Sequence, residues 1–401
     1  MNFIDGGVAA PIGFITNGVL SGIKAGRTRP DTALIFSEKP CAAAGVFTKN
    51  KVQAECVKLS RRHVAEGRAQ AVIVNSGNAN ACTGEQGAQA ALRMAQSAAS
   101  QLHLQEGDVL VCSTGVIGQQ LPVEKIEAKM ADLVAGLSKE GHQLAREAIM
   151  TTDTRYKEAA LETIIGGRTV RLGTMAKGSG MIHINMGTML GFITTDCTIS
   201  AAMLDKALRE SVAGTYNCVS VDGDTSTNDM VVILANGQAG NAVLTEESPD
   251  FPAFKEALRD ICIAMAQKIA GDGEGATKLV ECTVTGAATK EDARLAAKAI
   301  IASSLVKTAI YGNDANWGRI ACAAGYSGAQ FDPDKVNIFI GDVQVAQNGM
   351  GLEFDEAKAT ETLKQKKVNI LVKFNIGTEE ATAWGCDLTY DYVSINADYR
   401  S

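Results

Sequence analysis

Short apolar runs alternate along this chain with segments of helical periodicity, and that alternation predicts an α/β protein. Residues 1–50 are glycine-rich, with Thr32-Ala-Leu-Ile-Phe36 and Ala44-Gly-Val-Phe-Thr48 reading as strands separated by turns. Val57, Leu59, His63 and Val64 fall near helical spacing and predict a helix from about Val57 to Gly67. Ala71-Val-Ile-Val74 is a short buried strand that ends in the loop Asn75-Ser-Gly-Asn-Ala-Asn80, and an Ala-rich helix follows Gly84 to about Leu102. A second unit of the same kind has strand Asp108 to Cys112, loop Ser113-Thr-Gly-Val-Ile-Gly118, and a helix with Pro122 in its first turn running to about Gly136. A helix from Glu140 to Met150 then leads into the loop Thr151-Thr-Asp-Thr154.

After Thr188 the pattern predicts helix Ala201 to Tyr216, strand Met230 to Ala235 and helix Phe251 to Ala270. From Lys278 the order becomes strand, helix, strand, and the last forty residues read as strands with little helix. A C-terminal substructure is therefore expected to begin near residue 280. Gly237 to Pro249 and Gly271 to Gly275 are the linker candidates, each too short for a flexible tether.

The charge and composition narrow the function. A formal charge of −7 without a Lys/Arg cluster among aromatics argues against nucleic acid. Ten cysteines without a CxxC pair, and an N-terminus without a charged segment leading into an apolar core, read as reduced thiols in a cytoplasmic protein. No apolar run approaches the ~20 residues that would span a bilayer. The four histidines form no HExxH pair and accompany no GxSxG elbow, which disfavours metal hydrolysis and a serine triad. Gly271-Asp-Gly-Glu-Gly-Ala-Thr-Lys278 lacks the closing GK[ST] of a phosphate loop, and after Gly178-Ser-Gly180 His183 occupies the third glycine of a dinucleotide fingerprint. The carboxylate-rich strings Val221 to Asp229 and Tyr311 to Arg319 do not follow EF-hand spacing.

The stretch Lys177 to Asp196, KGSGMIHINMGTMLGFITTD, carries the candidate chemistry. Thr188 follows glycine and opens an apolar segment. A threonine hydroxyl needs an adjacent base, and an N-terminal threonine has one in its own α-amine, which titrates near pH ~8. An internal Thr188 gains that amine only if the Gly187-Thr188 bond is broken. Gly187, without Cβ, suits an N→O acyl shift in which the threonine hydroxyl attacks the preceding carbonyl. Taken alone, Gly-Thr also reads as the start of a buried strand. Ser113 to Gly118 follows a strand, so its amides could face an oxyanion, and reads equally as an ordinary strand-to-helix turn. Lys177 sits among glycines, where a cation can reach a carboxylate.

The segment Gly187-Thr188-Met189-Leu190 with Thr194-Thr195-Asp196 resembles the self-cleavage site of the glutamate N-acetyltransferase family, also called ornithine acetyltransferase, of arginine biosynthesis. The resemblance runs from Gly45-Val-Phe-Thr48 through Asn75-Ser-Gly-Asn-Ala-Asn80 to the last residue. Gly187 stands where the family's usual residue is Ala, and Ser401 where Thr is commoner.

The resemblance implies a ping-pong acetyl transfer from N2-acetyl-L-ornithine to L-glutamate, with no metal and no organic cofactor. Self-cleavage at Gly187 and Thr188 yields fragments 1–187 and 188–401, with Thr188 as nucleophile. Thr114 through its hydroxyl and Gly115 through its amide form the oxyanion hole. Thr154, Lys177, Thr188, Glu274, Asn396 and Ser401 bind substrate, with Thr151 and Thr152 as alternatives to Thr154 in that loop. The strings Val221 to Asp229 and Tyr311 to Arg319 also resemble family segments and are read as walls of the site, with Asp314 or Arg319 as a supporting group. Both fragments are expected to contribute strands to a layered αββα-type sandwich and to associate as a heterotetramer with two copies of each. No residue decides whether acetyl-CoA also serves as donor, which would make the enzyme bifunctional. The alternatives are a related self-cleaving aminopeptidase or amidase, and a non-catalytic binding protein whose glycine loops cradle an anion.

Overall fold

The computed structural model describes residues 1–183 and 189–398. The chain divides into two compact units, one of Met1–Gly178, Asn185–Ala213 and Thr225–Met265, the other of Ser179–Ile184, Gly214–Asp224 and Ala266–Ser401. The boundary between Met265 and Ala266 falls inside the helix Phe251–Ala270.

The first unit is built on a nine-stranded mixed sheet. Strand Leu190–Thr195 lies inside it, antiparallel to Arg168–Lys177 on one side and parallel to Met230–Ala235 on the other. Strands from before and after Thr188 thus share one sheet, as the family resemblance implied. Every residue of Leu190–Thr195 and Met230–Ala235 is buried, which suits apolar runs with no polar alternation. Helices Glu55–His63 and Gly84–Leu102 pack on strand Val109–Val116, and Ala201–Ala213 packs on Thr32–Phe47, layering helices on the sheet. The helix Gly84–Leu102 buries Ala90, Ala91, Met94, Ala95, Ala98 and Ala99, a stripe at helical spacing whose small side chains permit close approach.

The second unit holds a six-stranded sheet in which Leu279–Ala287 lies between Lys367–Lys373 and Glu379–Cys386. Here buried and partly exposed positions alternate, and helix Lys290–Ala302 covers Leu279–Ala287 and Glu379–Cys386. A two-stranded ribbon pairs Ile182–His183 with Ser220–Thr225.

Several elements differ from the sequence expectation. The two strands expected between Thr32 and Thr48 are one, Thr32–Phe47, because exposed Glu38, Lys39 and Pro40 form an outward irregularity where the register shifts rather than a turn. The loops expected at Asn75 to Asn80 and Ser113 to Gly118 are largely strand: Arg68–Asn78 and Val109–Val116 stay paired through Ser76 with Thr114 and Gly77 with Gly115. Parallel pairing satisfies their backbone groups despite the turn-like composition. The hairpin Glu158–Ile165 to Arg168–Lys177 turns on Gly166 and Gly167, both at positive φ, a Gly-Gly signal the reading passed over. The last element among the described residues is a helix, Tyr390–Ala397, where little helix was expected.

Candidate active site

Two adjacent parallel strands present the proposed oxyanion residues. Gly77 has φ 99° and Gly115 φ 135°, and the two are register partners. A Cβ on Gly115 would lie 2.3 Å from the Gly77 carbonyl carbon and 2.5 Å from the Asn78 nitrogen, so only glycine fits. Thr114, beside it, is buried, and among the described residues its hydroxyl has no side-chain hydrogen-bond partner. Asparagines hold this corner. Ser113 Oγ donates to Asn75 Oδ1 at 2.7 Å, Asn75 Nδ2 to the Asn78 carbonyl at 2.9 Å, and Asn228 Nδ2 to the carbonyls of Ser113 at 2.8 Å and Ala79 at 2.5 Å. Asn228, which lies in the string Val221 to Asp229 expected to wall the site, ties the two chain segments together at this corner.

Lys177 ends its strand opposite Leu190. Asp153, which the sequence reading missed, organises the loop before it: its Oδ1 accepts from Lys157 Nζ at 2.7 Å and from the Gly178 amide at 2.8 Å, and its Oδ2 accepts from the Thr151 amide at 3.1 Å. Burial pushes the Asp153 carboxyl up, but Lys177 and Lys157, with the hydrogen bonds from Lys157 and Gly178, outweigh it and hold the carboxyl at about 2. Thr151 and Thr152 are half-buried and Thr154 is exposed, all three on a loop that Asp153 anchors.

Within the second unit, Glu274 is buried and accepts from Asn396 Nδ2 at 2.8 Å, so two expected substrate residues touch. A Cβ at Gly180 would lie 2.4 Å from either Glu274 carboxylate oxygen, which leaves glycine the residue that admits Glu274 here. Ser179 Oγ donates to the Asp272 carbonyl at 2.7 Å, and the Glu274 amide donates to the Ser179 carbonyl at 3.2 Å. Asp222 accepts from the amides of Met181 at 2.6 Å and Ile182 at 2.8 Å, holding Met181 at φ 57°. Tyr392 is pushed up to about 12 by burial, then by the charges of Asp222, Glu274 and Asp224. These carboxylates make the face negative, and a negative face suits a substrate ammonium.

Arg319 Nη1 donates to the Leu305 carbonyl at 2.8 Å, linking helices Ser304–Tyr311 and Trp317–Gly325, and Asp314 accepts from Asn316 Nδ2 at 3.1 Å within the loop between them. Gly187, Thr188 and Ser401 lie outside the described residues. Among the described residues no cluster of three His, Cys, Asp or Glu side chains could hold a metal, and no helix is long and apolar enough to cross a membrane.

Known proteins resemble this chain along its whole length. The arginine biosynthesis bifunctional protein ArgJ of Symbiobacterium thermophilum is 53% identical over 402 residues, covering all of both chains. The protein of that name from Caldanaerobacter subterraneus is 50% identical over 405 residues, again covering all of both. A crystal structure of the Bacillus halodurans arginine biosynthesis bifunctional protein argJ superposes with a TM-score of 0.51 at 51% identity, covering 52% of this chain and 99% of that one. The ArgJ family profile matches residues 15–401, and with whole-length relatives at half identity the chain belongs to the ArgJ family.

Proposed function

We propose that the chain cleaves itself between Gly187 and Thr188 and then carries an acetyl group from N2-acetyl-L-ornithine to L-glutamate, in arginine biosynthesis. The observation that carries this reading is the seat of strand Leu190–Thr195. It is paired on both sides and wholly buried, with Leu190 opposite Lys177, so the strand that follows the cleavage point has its own anchorage in the sheet. Sheet hydrogen bonds, not the Gly187-Thr188 link, hold that strand. The solved Bacillus halodurans chain, matched almost end to end by about half of this one, agrees with a mature protein in two pieces.

In the proposed cycle the Thr188 hydroxyl attacks the acetyl carbonyl while its freed α-amine takes the proton. Thr114 Oγ and the Gly115 amide bear the charge of the tetrahedral oxyanion, Lys177 meets the substrate carboxylate and Glu274 with Asn396 the side-chain ammonium. Ornithine departs, and the glutamate amine attacks the Thr188 ester to take the acetyl group. Thr154 and Ser401 complete the substrate contacts. The reading needs no metal or organic cofactor, and acetyl-CoA enters as a second donor, in line with relatives named bifunctional. The assembly is a cytoplasmic heterotetramer with two of each fragment.

Denaturing mass spectrometry tests it. Two masses, for 1–187 and 188–401, are expected from the wild type and one inactive chain from Thr188→Ala; an intact chain that still transfers acetyl overturns the mechanism. Ornithine release that is independent of glutamate would instead mark a hydrolase.

A further inference from the structure

The loop Ser21 to Pro30 lies against the corner that carries the proposed oxyanion residues. A Cβ on Gly77, the register partner of Gly115, would lie 3.3 Å from Lys24 Cβ and 3.6 Å from the Lys24 nitrogen. Buried Asp31 fixes the start of the loop by accepting from the amides of Ser21 at 2.6 Å and Ile23 at 2.8 Å. Two arginines tie its end to the loop of Thr151: Arg27 Nη2 donates to the Met150 carbonyl and Arg29 Nη2 to the Thr151 carbonyl, each at 2.9 Å. Gly22 and Gly26 stand between at φ 76° and 77°, and among the described residues a Cβ on either would meet nothing within 4 Å. The loop is a fixed frame with open space beside it.

Lys24, Arg27 and Arg29 lie in this loop, and Lys125 joins them by donating from Nζ to the Gly22 carbonyl at 2.7 Å. Among the described residues none of these cations forms an ion pair. The Asp31 oxygens are taken by amides, and Glu147 acts on Arg27 only through its field. Arg27 Nε is buried without a hydrogen-bond partner among the described residues. Burial, then the charge of Arg29, push the Arg27 guanidinium down, against Asp31 and Glu147. Cations gathered this closely without ion pairs favour a bound anion.

Acetylornithine carries one carboxylate and one ammonium, and in the proposed cycle Lys177 already answers the carboxylate. The positive charge of the loop is therefore surplus to that donor. A diphosphate has a use for it, since phosphate oxygens take forked bonds from arginine and point contacts from lysine. We infer that the loop Ser21 to Pro30 binds the diphosphate end of acetyl-CoA, with the pantetheine arm passing Lys24 and Gly77 toward Thr114 and Gly115. The inference rests on the reading of acetyl-CoA as a second donor and gives that donor a phosphate site separate from Lys177.

Calorimetric titration of the purified protein with CoA reads the site without turnover. The wild type is expected to bind CoA, less tightly as salt is raised. Lys24 is exposed and makes no hydrogen bond among the described residues, so Lys24→Ala removes the cation and keeps the Cβ beside Gly77. That variant is expected to bind CoA about 10-fold more weakly and to raise KM for acetyl-CoA by the same factor, with KM for acetylornithine changed less than about 2-fold. CoA binding by Lys24→Ala as tight as the wild type's overturns the inference, as does wild-type affinity that ignores salt. A KM for glutamate that rises equally with either donor also overturns it, because Lys24 would then serve the acceptor's carboxylate. A wild type that transfers from acetylornithine and binds no CoA sinks the inference and leaves the transfer reading standing. A chain that never cleaves, yet loses CoA binding in Lys24→Ala, sinks the cleavage reading and keeps the phosphate site.

Discussion

Lys157 Nζ lies 2.7 Å from Asp153 Oδ1, and both side chains are sealed from solvent. The pair fixes the loop that carries Thr151, Thr152 and Thr154, and Asp153 also takes the Gly178 amide next to Lys177. One buried carboxylate therefore positions two expected parts of the substrate site.

Asp153→Asn removes the buried carboxylate that Lys157 and the Gly178 amide bond, and a loss of about 3–5 kcal/mol is expected in urea unfolding. The wild type should show a matching acid limb. The folded carboxyl at about 2 lies below its unfolded value, so its contribution is full above about pH 4 and lost as pH falls towards 2. Melting temperatures from pH 6 to 2 check this, and Asp153→Asn should flatten the drop.

Thr114→Ala removes a hydroxyl with no side-chain partner among the described residues and should leave stability within about 0.5 kcal/mol while lowering kcat about 100-fold. Gly115→Ala should behave differently. Its Cβ meets the Gly77 backbone at 2.3 Å and its φ is 135°, so lost activity should come with lost stability, of order 1–3 kcal/mol. Steady-state kinetics with thermal melts separate the two.

Glu274→Gln should raise KM for acetylornithine, and Gly180→Ala should do so with the carboxylate intact, because the new methyl displaces it. The same change has a spectroscopic reporter. Tyr392 is held at about 12 by burial first and by Asp222 and Glu274 next, so its phenol should titrate at lower pH in Glu274→Gln. An unmoved ultraviolet titration would place Glu274 away from Tyr392.

Alkylation of the native protein should mark Cys82 and Cys322 rapidly, because the other eight cysteines are buried. Burial pushes Cys41 and Cys197 up to about 12 and Cys56 to about 11, which keeps them unreactive thiols. Peptide mapping after brief iodoacetamide treatment checks this.

Periodicity located the helix Gly84–Leu102, the helix Phe251–Ala270 and the strand Met230–Ala235 at their observed bounds. Local composition misled where pairing overrode it, as at Asn75 to Asn78 and Ser113 to Val116, where turn-like residues are held as strand by a neighbour far along the chain. The terminal helix Tyr390–Ala397 buries no residue, so no apolar stripe announced it.

The residues by themselves determined the class of fold, the family and the stretch around Thr188, because periodicity and ordered motifs are properties of the linear chain. Tertiary structure alone decided which groups the buried Asp153 and Asn228 side chains bond. Gly178 and Ser113 reach them from far along the chain, and a buried polar group shows its role only through the partners that folding brings to it.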